Sequence, residues 1–97
     1  MTSREKVETK SIISCQWRCF ICHSKENLEL HHCIFGSYRK LADKDGLFVA
    51  LCADCHRALH DRGLFERELK ATAQKAYMED HKCTREEFRK RYGRCFD

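Results

Sequence analysis

Cysteine and histidine residues with the spacing of metal ligands are concentrated in one stretch of this 97-residue chain, from residue 19 to residue 60. Two C-x-x-C pairs, Cys19/Cys22 and Cys52/Cys55, supply the four thiolates of a tetrahedral structural zinc site. The segment between the pairs is longer than in a zinc ribbon, as an inserted hairpin would make it. We expect one structural Zn²⁺ and a metal-free chain that is largely unfolded, because such binding contributes about 10 kcal/mol. The alternative is four ordinary buried cysteines.

Four histidines predict a second, separate site. If the segment after Cys52 is helical, Cys55 and His56 point about 100° apart, whereas His56 and His60 differ by only about 40°. Cys55 can then face the zinc while the two histidines face another ion. His31 and His32 are neighbours, and both serve one site only if their strand ends or distorts there, because strand neighbours point to opposite faces. For His56 and His60 the alternative is a solvated helix face.

Three imidazoles and a fourth histidine would suit hydrolysis at phosphorus. One imidazole of the adjacent pair could complete a three-nitrogen metal site with an open coordination position. The other would remain free as a base, because histidine changes charge close to neutral pH. A metal, a free base and an open position together suit water-driven displacement at phosphorus.

A β-hairpin with a long connection would carry the adjacent histidines to the second cysteine pair. Residues 28–30 alternate apolar and polar side chains, like a half-buried strand that runs into His31, and residues 47–51 predict a short buried strand. Residues 34–40 are typical of a loop. The sequence Asp43-Lys-Asp-Gly46 predicts a tight turn, because Asp-Gly readily adopts positive φ.

Helices are predicted after the hairpin. Asp54 is the expected N-cap of a helix that runs through His60 to about residue 62 and ends at Gly63. Apolar residues at helical spacing predict an amphipathic helix over residues 64–81. A capping-box sequence at Thr84 predicts a last short helix that Gly93 ends.

One α+β domain over residues 1–97 follows, with a core over about residues 15–63 and a C-terminal helical extension over residues 64–97. Residues 1–11 are polar and charged, and we expect them to be frayed. The chain has no repeats and no linker-like stretch.

Composition favours a cytoplasmic setting. The chain has eight cysteines and no apolar signal segment near Met1, so we expect a reducing compartment in which paired cysteines bind metal. No apolar run approaches the roughly 20 residues of a membrane span. A net charge of +4 permits a polyanionic partner without requiring one.

Residues 19–60 resemble the HNH endonucleases of the ββα-metal (His-Me finger) type, in the subgroup with a four-cysteine zinc site. The resemblance rests on Cys-x-x-Cys, Leu-Glu-Leu-His-His and Leu-Cys-x-x-Cys-His-x-x-x-His, which together cover a little under half the chain. The remainder is similar to small phage- or prophage-encoded members.

The resemblance implies a small ββα-metal core with additional C-terminal helices and a metal-dependent DNA endonuclease activity. It implies that His31, His56 and His60 bind a catalytic divalent metal (Mg²⁺, Mn²⁺, Ni²⁺ or Zn²⁺) and that His32 is the general base. The chain departs from the family at one position, because Leu47 stands where the family has a central asparagine, a residue that normally helps to hold the loop and the base in place. Asn27 or a backbone carbonyl would then have to take its place.

Basic residues near the predicted site could hold DNA phosphates. Arg39, Lys40 and Arg57 are the candidates, and a second basic cluster lies near the C-terminus: Arg85, Arg89, Lys90, Arg91 and Arg94. The alternative for each is a solvated surface charge. We expect DNA binding with little sequence specificity, because such domains contact mostly backbone and groove shape.

The main alternative to a nuclease is a non-catalytic, zinc-stapled nucleic-acid-binding module. The two differ in one prediction, since only catalysis requires His32. A two-finger zinc protein is disfavoured by the long separation of Cys22 from His56, and a thiol redox protein by the absence of a strand-to-helix context for the paired cysteines. The remaining cysteines are expected to be free thiols: Cys15, Cys33, Cys83 and Cys95.

Overall fold

The computed structural model describes residues 1–97 as five α-helices around one antiparallel hairpin. The hairpin consists of β1 (Leu28–His32) and β2 (Phe48–Cys52), with His31 opposite Val49 and Leu28 opposite Cys52. The other elements, in chain order, are α1 (Ser3–Lys10), a 3-10 turn (Gly36–Tyr38), α2 (Arg39–Asp45), α3 (Ala53–Arg62), α4 (Glu66–His81) and α5 (Arg85–Tyr92). The predicted α+β class and long-connection hairpin are therefore confirmed.

Strand β2 is the centre of the core. All five of its residues are buried, and both α1 and α3 contact the two strands. Side chains alternate between the two faces of a strand, so His31 and His32 point to opposite faces of the hairpin. The two strands pair regularly up to His32. Strand β1 therefore lacks the distortion that would be needed to turn both histidines to one face.

The prediction that residues 1–11 are frayed is wrong. Thr2 and Glu5 form a capping box at the start of α1, and Val7 is completely buried. Beyond the helix, the Ser11 hydroxyl donates a 2.6 Å hydrogen bond to the backbone carbonyl of Phe48. Periodicity could not reveal this helix, because Val7 is its one apolar side chain and a single burial leaves no pattern.

The connection from β1 to β2 is helical where a loop and a hairpin turn were predicted. Gly46 ends α2 in the left-handed conformation with φ of 75°, and its N–H bonds to the carbonyls of Ala42 and Asp43. An Asp-Gly sequence serves a hairpin turn and a helix C-cap equally well, because both need positive φ. The predicted tight turn is therefore a helix end.

The predicted N-cap of α3 is displaced. The cap is Cys52 rather than Asp54, and its Sγ accepts a hydrogen bond from the backbone N–H of Cys55. Gly63 ends the helix with positive φ, as predicted. The helix thus begins at the second cysteine pair, and this fixes the positions of Cys55, His56 and His60 relative to β2.

The C-terminal helices follow the sequence prediction closely. Helix α4 begins at Glu66, two residues later than predicted, and leaves Leu64 exposed before it. The capping box of Thr84 and Glu87 begins α5, and Gly93 ends it. None of the five helices combines the length and the apolar character that a membrane span requires.

A partly buried ionic cluster ties α5 to the hairpin connection. Arg91 donates two hydrogen bonds, of 2.7 and 2.8 Å, to the carboxylate of Asp45, and the Tyr92 hydroxyl donates a third of 2.5 Å. Desolvation would raise the pKa of Asp45, but the hydrogen bonds from Arg91 and Tyr92 outweigh it and hold that pKa below its usual value. The end of α2 is therefore fixed against the last helix.

Candidate metal centre and histidine pocket

The four paired cysteines converge on one point. Cys19 and Cys22 lie in the turn before β1, Cys52 ends β2 and Cys55 is in the first turn of α3; their sulfurs lie within 4.8 Å of one another. The Sγ atoms of Cys22 and Cys52 are 3.6 Å apart. Two thiolates bound to one Zn²⁺ at about 2.3 Å in tetrahedral geometry lie about 3.8 Å apart. The cluster therefore fits a structural zinc ion.

The electrostatics of this cluster also favour a cation. Burial opposes ionisation of Cys19, but hydrogen bonds from backbone N–H groups, that of Cys22 foremost, outweigh it and lower its pKa to about 6. The pKa of Cys55 is raised by burial first and then by the neighbouring thiols. Cys19 therefore ionises easily, whereas each further thiolate in the cluster is opposed by repulsion from the first. A bound dication would relieve this repulsion.

His31, His56 and His60 form a second group, whose ring nitrogens lie within 4.8 Å of one another. The Nε2 atoms of His56 and His60, one turn apart on α3, are 3.1 Å apart. Two imidazoles bound to one Zn²⁺ at about 2.0–2.1 Å in tetrahedral geometry would be about 3.3–3.4 Å apart. The three nitrogens therefore lie close to the geometry of a shared metal.

His31 supplies the independent test of that fit. Its side chain is 3% exposed, and its Nε2 is the one buried side-chain polar atom without a hydrogen-bond partner. Such an orphaned polar atom costs about 1–3 kcal/mol unless something satisfies it. Burial, with the nearby His56 and His60, lowers the pKa of His31 to about 3. The ring is therefore neutral, as a metal ligand must be, with a nitrogen that a metal would satisfy.

Glu29 is a site residue that the sequence prediction missed. Its Oε1 lies 2.8 Å from Nδ1 of His56, so Nδ1 carries the proton and Nε2 keeps its lone pair directed at the other two histidines. A carboxylate behind a histidine is the usual outer partner of a metal ligand. One signal was available, since Glu29 lies two residues before His31 and so on the same face of β1.

His32 lies on the other face of β1 and has different partners. Its Nε2 is 2.8 Å from Oδ1 of Asp43 on α2, and its Nδ1 is 3.5 Å from Nε of Arg39. Desolvation opposes ionisation of Asp43, but hydrogen bonds from His32 and Lys6 outweigh it and lower its pKa. A carboxylate at Nε2 fixes the proton there, and Nδ1 is left as the basic nitrogen.

The two faces of β1 meet at one cavity, because His32 is the last residue of the strand. The cavity has a volume of about 300 Å³ and is lined by Leu30, His31, His32, Phe35, Arg39, His56 and His60. Phe35 covers one side, with its ring 6.0 Å from that of His31 and 5.7 Å from that of His60. The three-histidine group and the fourth histidine thus share a pocket without sharing a strand face.

The predicted phosphate-binding residues divide into two groups. Arg39 lines the histidine pocket, whereas Lys40 and Arg57 are exposed and make no side-chain hydrogen bond or ion pair. The C-terminal basic cluster is partly neutralised, because Arg91 is bound to Asp45 and Arg85 to Asp97. That cluster is therefore not one continuous basic surface.

Neither Leu47, at the asparagine position, nor Asn27, considered as its substitute, is hydrogen-bonded to the ring of His32. Leu47 is fully buried in the core, and its role is structural: its N–H donates to Ala42 and its carbonyl accepts from Cys33. Asn27 lies beside the cysteine cluster, where its carbonyl accepts a hydrogen bond from the N–H of Ala53. Cys33 itself is a buried free thiol, as predicted.

Comparisons with protein families, with curated proteins and with solved structures find no match.

Proposed function

We propose that this protein is a metal-dependent DNA endonuclease of the HNH type. One observation carries the proposal: three histidine nitrogens converge in a pocket whose rim holds a fourth histidine backed by a carboxylate. The order β1, β2, α3, with ligands at the end of the first strand and on the helix, is what a ββα-metal core requires. The cysteine cluster would hold a structural Zn²⁺ that fixes the hairpin against α3.

The histidine group is the proposed site of the catalytic divalent metal, held by His31, His56 and His60. A metal bound there would supply positive charge to the phosphoryl group under attack and to the leaving 3′ oxygen. Among the candidate ions, Zn²⁺ and Ni²⁺ would bind most tightly to three imidazoles, because Mg²⁺ and Mn²⁺ prefer oxygen ligands. With three protein ligands, a metal held there would have a coordination position free for a phosphate oxygen.

His32 is the proposed general base. Nδ1 takes a proton from water as the water oxygen bonds to phosphorus, the bond from phosphorus to the 3′ oxygen breaks, and that oxygen leaves as a hydroxyl after protonation by solvent. In the free protein Nδ1 faces Arg39 at 3.5 Å, the long limit of a hydrogen bond. A DNA phosphate would compete well for this guanidinium, because charge-assisted bonds to phosphate are stronger. Substrate binding would thereby free the base.

DNA binding is proposed to involve mainly backbone phosphates. Lys40 and Arg57 offer exposed charges that no protein carboxylate neutralises, and the chain has a net charge of +4. Contacts of this kind hold the duplex without distinguishing its sequence. We therefore propose a nuclease with little sequence specificity.

A second candidate is a zinc-stapled nucleic-acid-binding module without catalysis. The observation in its favour is Leu47, which occupies the asparagine position of the resembled family with a fully buried apolar side chain. On this view the histidine group would be a second structural metal site.

Cleavage of supercoiled plasmid distinguishes the two. We expect the zinc-loaded protein to cleave with an added divalent metal, and His32→Ala to lose about 10²–10⁴-fold in rate, the usual contribution of a general base. DNA affinity and the circular dichroism spectrum should not change. His81→Ala, at the exposed end of α4, is the matched control. A folded wild type that binds DNA but does not cleave it with any of the added metals would establish the binding module instead.

A further inference from the structure

We propose that Asp43 is a positioning residue for His32 and takes over the task of the asparagine that the resembled family has where this chain has Leu47. The inference rests on the proposed function, because it assigns the group that orients the proposed base. Asp43 contacts neither substrate nor metal in this assignment and acts only through the imidazole.

The geometry separates the two ring nitrogens of His32. Oδ1 of Asp43 is 2.8 Å from Nε2, which therefore carries the proton and donates it. The ring is further fixed by an edge-to-face contact with Phe48, whose centroid is 5.7 Å away. Nδ1 is the remaining nitrogen, and it lies on the pocket side with Arg39. Asp43 thus selects both the tautomer and the orientation in which a lone pair meets the pocket.

Asp43 is itself held on its other side. Lys6 of α1 forms an ion pair with the same Oδ1 and lies 5.5 Å from the centroid of the Phe48 ring. Helix α1 is anchored by the fully buried Val7, which keeps the backbone of Lys6 beside Asp43. Lys6, Asp43 and His32 form a continuous chain from α1 through α2 to the end of β1.

Asp43 supplies the one carboxylate hydrogen-bonded to the His32 ring, whose other partner is the guanidinium of Arg39. Leu47 has no polar group and is enclosed in the core. Its backbone still fastens the connection, because its N–H bonds to Ala42 at 2.9 Å and its carbonyl accepts from Cys33 at 3.0 Å. The two tasks of one asparagine, holding the connection and holding the base, are thereby divided between the backbone at Leu47 and the carboxylate of Asp43.

Two substitutions of similar size test the assignment. Asp43→Asn keeps an oxygen that accepts from Nε2, and Lys6 favours the amide rotamer with that oxygen in place, so we expect kcat within about tenfold of wild type. Asp43→Leu removes the acceptor, and we expect kcat to fall about 10–100-fold, as for other lost outer partners of a site residue, with KM unchanged. Asp80→Leu, on the exposed end of α4, is the control for an apolar surface substitution.

A spectroscopic measurement keeps the test independent of cleavage. In the zinc-loaded, ¹⁵N-histidine-labelled chain, NMR should show His32 as the Nε2–H tautomer in wild type and Asp43→Asn, and a mixture of tautomers in Asp43→Leu. His32→Ala identifies the resonance by its loss. The inference is overturned if Asp43→Leu keeps a single Nε2–H tautomer, or if it cleaves at the rate of Asp43→Asn. A wild type without cleavage would overturn the proposed function, while the tautomer result would still decide whether Asp43 orients the ring.

Discussion

Nε2 of His31 is the atom whose environment the protein alone does not explain. It is buried, neutral and without a hydrogen-bond partner, although buried polar groups in native proteins nearly always have one. His56, by contrast, has one nitrogen satisfied by Glu29 and the other directed at His60. A divalent metal between the three rings would satisfy all three nitrogens at once.

Glu29 should therefore control metal affinity. Glu29→Ala removes the carboxylate that holds the His56 ring and proton, and we expect the second metal to bind about 10–100-fold more weakly. Competition with a coloured chelator measures this affinity in the zinc-loaded chain. Glu26→Ala, exposed in the turn before β1, is the matched control. Equal affinities in the two variants would show that Glu29 has no part in the site.

Helix α3 is the element that separates the cysteine cluster from the three-histidine group. Because it begins at Cys52, Cys55 turns towards the cysteine cluster while His56 and His60 turn towards β1, as the helical angles predicted from the sequence. The sequence could not reveal α1 or α2, which lack the apolar periodicity that marks a helix. Asp43 was missed for this reason, since only the fold of α2 brings it to His32, eleven positions away in sequence.

The link between α2 and α5 should contribute to stability at neutral pH. Asp45→Asn weakens the bonds from Arg91 and Tyr92, and we expect the free energy of unfolding of the zinc-loaded protein to fall by about 1–3 kcal/mol. Asp61→Asn, on the exposed face of α3, is the control. Urea denaturation followed by circular dichroism measures both.

The pH dependence of that difference has a definite sign. The pKa of Asp45 lies below its unfolded value of 3.8, so its stabilisation is complete above that value and is lost only as pH falls through the lower, folded pKa. The difference between wild type and Asp45→Asn should therefore be the same at pH 8 and pH 6. A difference in unfolding free energy that is smaller at pH 6 than at pH 8 would mean that Asp45 is not held ionised by Arg91 and Tyr92.

In the whole molecule, three parts of the chain meet at the cysteine cluster: the turn before β1, the end of the hairpin and the start of α3. The cysteine pairs could be identified from spacing alone, because a C-x-x-C turn brings its two thiols together locally. The joining of both histidine pairs in one pocket could only be proposed, since it depends on β1 ending at His32. The N-terminal segment, expected to be frayed, instead packs on the hairpin and supports Asp43 through Lys6.

Removal of the structural metal should unfold the chain. Zinc binding by four thiolates contributes about 10 kcal/mol, comparable to the whole stability of a small domain. A strong chelator should abolish the helical circular dichroism signal, and Cys55→Ser should have the same effect without a chelator. Cys15→Ser, which alters an exposed free thiol, should keep fold and metal. A metal-free chain with unchanged helical content would refute the structural role of the cluster.

The most direct test of the account is to measure metal content and plasmid cleavage together in wild type and His56→Ala. We predict two bound metals per chain in wild type and one in His56→Ala, which should remain folded and bind DNA but lose cleavage. Retention of the structural zinc in the variant would show that the two sites are separate. Cleavage by His56→Ala at the wild-type rate would contradict the claim that the three-histidine group is the catalytic centre.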